Sequence, residues 1–498
     1  MSPFSSSALN FSWPAVMPLI AVSVAALAVL MVGVSVDEDE SLGLGLLSLG
    51  GLALALVLAL AALGQSELAF GGAIALDNFA IYFELAILIS AALAVLMSLE
   101  YVGELGLPGA EYYSLLLFAT LGMMLLATAG DLIVIFLGLE TMSIAVYVLA
   151  GFRRGDPRSI EAALKYFILG AFSTGFLLYG IALVYGATGT IRLDRISAAL
   201  SGPLAHSPLM LLGLGMMLIG FAFKVAAVPF HMWAPDVYEG APTPVTAFMA
   251  VGVKIAAFAG FLRIFVAHLG PVSTHWTWVL WVIAALTMTI GNTVALVQSN
   301  IKRMLAYSAI AHAGYLLVGM TAADSAAGGA ILYYLLGYAF TNMGAFAVVA
   351  ALGRTDAPHE RIADYRGLAA RHPGLAAAMA LFLLSLTGVP PLAGFVGKFY
   401  LFGAALNRGL VGLVIIAVLN SAISAYYYIS VIVAMYMEEG GAEGVRMRGR
   451  PALLATVVIA LAGVILIGLY PQPYLAAATS AFASAMSAAP IHAASLLP

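Results

Sequence analysis

A chain of 498 residues that is 63% hydrophobic and only 9% charged lies far from water-soluble proteins, in which about a quarter of residues carry charge. Cysteine is absent, which excludes disulfides, thiolate metal sites, cysteine-held iron–sulfur clusters and cysteine nucleophiles within the chain. The formal net charge of −4 is thinly spread and offers no basic patch for nucleic acid, so an all-α polytopic membrane protein is the class that remains.

A helix needs about 20 apolar residues to cross the hydrocarbon of a bilayer. Fourteen stretches meet that need, at 15–36, 42–63, 78–98, 112–129, 131–152, 162–185, 207–230, 243–267, 276–298, 303–321, 327–352, 374–407, 411–436 and 451–470. The first lacks a basic leader and is followed by further spans, so it reads as a membrane helix and not as a cleaved signal. The seventh contains Pro229 shortly after Lys224, and a proline-rich stretch from Ala234 to Pro244 leads into the eighth. The twelfth would be about 50 Å long as a straight helix, too long for one crossing. Thr387-Gly388-Val389-Pro390-Pro391 supplies its break, because each proline removes an amide donor and clashes with the preceding turn. Broken membrane helices are tolerated where they are buried in protein or line a wet cavity, which points to conduction.

Basic residues gather in cytoplasmic loops. With the N-terminus outside, that side holds Arg153, Arg154, Arg158, Lys302, Arg303, Arg354, Arg361, Arg366, Arg371, Arg446, Arg448 and Arg450, and the opposite side only Arg192, Arg195, Arg263 and Arg408. Both termini are therefore expected on the periplasmic side of a bacterial inner membrane, with the acidic run Asp37-Glu38-Asp39-Glu40 in the first cytoplasmic loop. A shift of 168 positions lays Tyr147 on Tyr315, Gly151 on Gly319, Tyr166 on Tyr334, Phe172 on Phe340 and Ser173 on Thr341. The shift spans five helices, an odd number, so two copies would run in opposite directions, each with a broken helix. The expected division is 1–111 for helices 1–3, 112–275 for the first repeat, 276–436 for the inverted second, and 437–498 for helix 14 and a tail.

Lys165, Lys224, Lys254 and Lys398 are left inside spans. A lysine at mid-bilayer costs roughly 2.5–3.5 kcal/mol on insertion scales and usually marks a functional site with a partner. Lys254 is near the centre of its span, while Lys224 and Lys398 each flank a helix break. Glu140, about 14 Å into its own span by helix rise, is the acidic counterpart. Burial favours the neutral amine and a nearby carboxylate favours the ammonium, so moving Glu140 relative to Lys224 would switch the lysine between holding and releasing a proton. Lys254 and Lys398 would continue the relay, and His312 would join it because imidazole titrates near neutrality. Plainer roles stand beside these: Lys165 snorkelling to headgroups, structural ion pairs for the other lysines, and helix packing for Glu140. Glu84 in the third span reads equally as functional or structural, and His231 at a loop boundary as an interface residue. No His/Asp/Glu cluster has metal-ligand spacing, and no G-x-G-x-x-G follows a strand.

The run Phe223-Lys224-Val225-Ala226-Ala227-Val228-Pro229-Phe230-His231-Met232-Trp233-Ala234-Pro235-Asp236-Val237-Tyr238, within Phe221 to Val245, resembles the signature of the antiporter-like membrane subunits of respiratory complex I. Ser159 to Ser173 and Gly394 to Tyr400 are similar to the subunit N branch of that family in particular. The likeness spans about residues 15 to 470, and the family's glutamate and lysines fall on Glu140, Lys165, Lys224, Lys254 and Lys398. The resemblance implies a subunit that pumps protons while binding no NADH, FMN, iron–sulfur cluster or quinone itself. Those cofactors would belong elsewhere in the complex, and the partners would be neighbouring antiporter-like and small membrane subunits. An ion-gradient-driven cation/proton antiporter subunit and a membrane scaffold with a relict pathway are the competing readings.

Overall fold

In hydrocarbon every backbone amide and carbonyl must be satisfied within the protein, and apolar runs of about 20 residues do so as helices, which close their hydrogen bonds within one segment. The computed structural model describes residues 11–35, 41–353, 359–440 and 450–488. The chain begins with α1 (Trp13–Gly33) and α2 (Ser41–Ala61), then a short antiparallel hairpin of β1 (Glu67–Ala69) and β2 (Ile74–Leu76). Next come α3 (Asn78–Glu104), α4 (Gly109–Thr128), α5 (Leu132–Ala150), α6 (Pro157–Thr188), the short α7 (Leu193–Ala199) and α8 (Pro208–Lys224). After α8 follow α9 (Trp233–Gly240), α10 (Thr243–Phe248) and α11 (Lys254–Phe261), the last two joined by a π-helical turn, Met249–Val253, and extended by another, Leu262–His268. The second half holds α12 (Ser273–Ala295), α13 (Ile301–Ala322), α14 (Ser325–Leu352), α15 (Leu368–Arg371), α16 (Pro373–Thr387), α17 (Ala393–Asn407), α18 (Val411–Met437), α19 (Pro451–Leu469) and α20 (Pro471–Ala488).

Short polar side chains set many of the helix starts. Asp77, Asp131, Asp156, Asn300 and Asp324 each accept a hydrogen bond from a backbone amide in the first turn of α3, α5, α6, α13 and α14, satisfying donors that the helix itself leaves free. The core surrounds the Thr243–His268 segment, with α13 and α14 nearly as enclosed. Large apolar side chains on the periphery, among them Phe172 on α6, Trp278 on α12 and Leu419 on α18, face outward to lipid.

The fourteen stretches expected as spans all fall on helices, and among the described residues twelve helices are long and apolar enough to cross a membrane. The seventh and twelfth are interrupted. α8 stops at Lys224, and the chain turns through Val225–Met232, with Ala226 at φ +57°, before α9. The twelfth breaks between α16 and α17, where Gly388 takes φ +95°, a conformation open to glycine at little cost. Three features escape the hydrophobic pattern. The π turns look like ordinary helix in sequence, the hairpin is too short to alternate, and α20 is rich in Ala and Ser, so it reads as a tail. Two basic residues assigned to loops are in fact buried: Lys302 in the first turn of α13 and Arg263 in the π turn after α11. Arg354, Arg446, Arg448 and the Asp37–Glu40 run lie outside the described residues.

Candidate functional site

Lys224 is the last residue of α8, placed there because the chain departs from the helix immediately beyond it. Its Nζ donates to Ser143 Oγ at 2.7 Å and Tyr147 OH at 3.1 Å, both on α5, and lies 5.2 Å from the centre of the Tyr147 ring and 5.7 Å from that of Tyr166. Aromatic faces stabilise a desolvated ammonium by up to roughly 2 kcal/mol. Gly170 on α6 makes room for the Tyr147 phenol, since a Cβ there would come within 2.6 Å of its Cζ. Tyr166 stacks on Trp233 at 4.2 Å, which ties the lysine's surroundings to α9 beyond the break. Glu140 lies one turn before Ser143 on α5, and its carboxylate accepts from Thr174 on α6 at 2.7 Å. Among the described residues the expected Glu140–Lys224 ion pair is not formed: the lysine bonds Ser143, one turn beyond Glu140 on α5, and Glu140 is held by the Thr174 hydroxyl.

Lys254 opens α11 immediately after a π turn, deep in the core. It donates to the carbonyl of Ala309 and, at 3.2 Å, to Tyr338 OH, with the Tyr338 ring centre 4.9 Å away. His312 on α13 follows, its ring 5.4 Å from that of Tyr338. Its Nδ1 is 2.6 Å from Tyr334 OH and its Nε2 3.3 Å from Tyr428 OH, so in a neutral ring one nitrogen donates while the other accepts. Tyr428 also bonds Ser308. Tyr315, whose ring is 5.4 Å from His312, lies under Lys398 at 4.9 Å. Lys398 on α17 donates to the carbonyls of Leu386 and Thr387, both at 2.9 Å, and to Ser421 Oγ at 2.8 Å. Lys224, Lys254 and Lys398 are 3%, 4% and 5% exposed, and His312 is 2% exposed. These are buried ionisable groups, each hydrogen-bonded to at least one hydroxyl, with tyrosine rings between Lys254, His312 and Lys398.

Lys165 stands apart from this interior. Its half-exposed side chain binds Glu161 at 2.6 Å and Asp236 at 2.7 Å. Asp236 also receives Arg303 at 2.6 Å, and Glu239 accepts from Arg303 at 3.0 Å. Lys302 donates to the carbonyls of Glu239 and Ala241 and, at 3.1 Å, to Glu360. It lines a cavity of ≈ 60 Å³ together with Arg153, Arg158 and Arg450. Sequence reasoning missed Ser143, Thr174, Tyr334, Tyr338 and Tyr428, since hydroxyls and aromatics at helical spacing look like ordinary packing. Their positions relative to the lysines were the available signal, as with Tyr147 and Tyr315. His231 lies in the turn between α8 and α9. Among the described residues no group of three or more His, Asp or Glu side chains is disposed to hold a metal ion.

Interrupted helices that hold buried lysines against hydroxyls define a polytopic membrane protein with ionisable groups in its core. A family model described as NADH:quinone oxidoreductase/Mrp antiporter, TM, matches residues 129–424. A relative from Trichlorobacter lovleyi, NADH-quinone oxidoreductase subunit N, is 50% identical over 414 residues, covering 83% of this chain and 85% of that one. Among solved structures, a chain of respiratory complex I from Thermus thermophilus with bound aureothin superposes with a TM-score of 0.80 at 38% identity, covering 93% of this chain and 99% of that chain. A chain of the Mrp complex from Dietzia sp. DQ12-45-1b shares the fold, with a TM-score of 0.80 at 22% identity over 94% of this chain and 97% of that one. The chain belongs to the family of NADH-quinone oxidoreductase subunit N.

Proposed function

We propose that the chain is a proton-translocating membrane-arm subunit of complex I, coupling quinone reduction by NADH to proton pumping through its buried lysines. The observation that carries this reading is the series Lys224, Lys254, His312 and Lys398, each enclosed in the core and each hydrogen-bonded to a hydroxyl. A hydroxyl accepts from an ammonium or donates to a neutral amine, so the contacts of Lys224, both hydroxyls, serve both protonation states, while the carbonyls beside Lys254 and Lys398 only accept. Glu140 acts as modulator: a carboxylate nearing a buried lysine favours its charged form, and withdrawal releases the proton. Lys165 joins the path at the arginine-rich end through Asp236.

On this reading NADH, FMN, the iron–sulfur clusters and quinone are bound by other subunits, and neighbouring antiporter-like and small membrane subunits are the partners. The arginine-rich end faces the cytoplasm of a bacterium, both termini face the periplasm, and 112–275 and 276–436 form the two inverted units. The Tyr147–Lys224 and Tyr315–Lys398 contacts support the repeat, since the two tyrosines stand 168 positions apart. The competing reading, an ion-gradient-driven antiporter subunit, is favoured by the likeness to the Mrp chain. Flavin and iron–sulfur absorbance in the purified complex supports the first reading, and their absence supports the second.

The direct test is NADH-driven proton pumping in inverted membrane vesicles carrying Lys224→Ala, with NADH–quinone activity measured alongside. The expected result is loss of pumping together with quinone-linked turnover in a complex that still assembles. Unchanged pumping assigns the lysine a structural role and returns the antiporter and scaffold readings.

A further inference from the structure

α12 carries a single asparagine, Asn292, and it is fully enclosed. Its Nδ2 donates to the Met288 carbonyl at 2.8 Å and to Tyr315 OH at 3.1 Å, with Asn420 Oδ1 at 3.5 Å beside them, and its Oδ1 accepts from Tyr427 OH at 3.0 Å. The Met288 carbonyl only accepts, which fixes the NH2 on that side and turns the amide oxygen to Tyr427. Burying an amide is costly unless such partners are supplied, and an apolar side chain would fill the same place without that cost. A fully committed amide where α12, α13 and α18 meet therefore calls for an explanation.

Lys398 supplies one. An ammonium has three N–H donors, and those of Lys398 are taken by the carbonyls of Leu386 and Thr387 and by Ser421 Oγ. None is left for the Tyr315 phenol, so this tyrosine serves the charge through its ring, whose centre is 4.9 Å from Nζ. A buried phenol still needs a partner, and Asn292 is that partner. The other half of the molecule differs on each count. Among the described residues Lys224 has two acceptors, one of them the Tyr147 phenol itself at 3.1 Å, and 168 positions before Asn292 stands the apolar Met124. The amide is present where the tyrosine is used by its ring and absent where it is used by its hydroxyl.

We infer that Asn292 is a positioning residue of the proton path that acts through Tyr315, holding the phenol so that the ring stays beneath Lys398. Tyr427 fixes the amide from the far side, and so joins α18 to the same arrangement. The titratable groups gathered about Lys398 are Tyr315 and His312 on α13, Tyr334 on α14, and Tyr427 and Tyr428 on α18, with Lys254 beyond His312. α16 and α19 also pack against α17 and contribute none. This inference rests on the proton-carrying reading.

The test measures NADH-driven pumping against pH in inverted vesicles that carry the whole complex with Asn292→Leu, Tyr315→Phe, the two combined, or Lys398→Ala. In Asn292→Leu the phenol is left bare and the ring shifts with it to another partner. An ammonium that loses the ring beneath it gives up its proton more readily, so the alkaline limb of the pumping profile is expected to move toward acid by about one pH unit. The combined variant has no phenol to satisfy, so its ring stays and its profile returns to that of the unmodified complex. Lost packing alone lowers rate or yield without moving the profile, and an unmoved profile in Asn292→Leu overturns the role of Asn292. A combined variant shifted as far as Asn292→Leu overturns it too, as does lost pumping in Tyr315→Phe, which gives the phenol itself a part in transfer. In those cases lost pumping in Lys398→Ala leaves the proton-carrying reading intact, whereas normal pumping in Lys398→Ala overturns the reading and the inference together. Where Asn292→Leu does not assemble, Asn292→Ser, whose side chain is too short to hold the phenol, is read by the same criteria.

Discussion

Lys224 and Lys398 each lie over a tyrosine ring, at 5.2 and 4.9 Å, and each flanks a break in its helix, yet the two charges are held differently. Lys224 precedes its break and, among the described residues, has only the hydroxyls of Ser143 and Tyr147 as acceptors. Lys398 follows its break and takes the carbonyls of Leu386 and Thr387, which the end of α16 leaves free, with Ser421 as a third partner. Carbonyls at a helix C-terminus only accept, and the helix dipole there favours a cation. Lys398 is therefore fixed in a site built for positive charge, whereas the partners of Lys224 serve an amine or an ammonium equally well. Exchange is easiest where the contacts do not choose between the two forms. Lys254 is intermediate, with one carbonyl and one phenol.

Removing partners in turn sharpens that comparison. The largest effect is expected from the double variant Ser143→Ala, Tyr147→Phe, which leaves the Lys224 ammonium buried without an acceptor, a loss on the order of 3–5 kcal/mol. Pumping in vesicles should fall to background, with the yield of intact complex on native gels as the control; a double variant that pumps normally ends the distinction drawn here. Tyr338→Phe keeps the ring over Lys254 but removes the phenol, a hydrogen bond to charge worth about 2 kcal/mol. A rate reduction of about tenfold or more is expected by the same assay. The smallest effect is expected from Ser421→Ala, because two carbonyls still hold Lys398. The loss is about 1 kcal/mol, and pumping should stay within about fivefold of the unmodified complex. A loss in Ser421→Ala as large as in the Lys224 double variant would show that hydroxyls, not carbonyls, set both sites.

The helices, both breaks and the three core lysines were legible in the sequence because each departs from a simple background. An apolar run betrays a span, Gly388 with Pro390-Pro391 betrays an interruption, and a lysine such as Lys254 among valines and alanines is conspicuous. What binds those lysines was not legible. Tyr334, Tyr338 and Tyr428 lie on helices where an aromatic is normal core material, and only the fold brings them round His312. Lys302 and Arg263 were misplaced for a related reason: a basic residue near a span end reads as a loop residue. Each is instead enclosed by acceptors from remote segments, Glu239, Ala241 and Glu360 for the first and Asp77 and Ala127 for the second.

α20 leans on α3, where Ser484 Oγ accepts from the backbone amide of Phe79, 405 positions earlier, and Phe482 packs against the Phe79 ring. A ribosome working at about 5–20 residues per second needs roughly 20–80 s to make the intervening chain. For that interval the start of α3 is in the bilayer without its final cover, its first-turn amide unmatched and its aromatic flank open to lipid. The helix that carries Asp77 and Glu84 is thus inserted early and sealed late, which makes the closing of this seam a natural checkpoint in the biogenesis of the chain.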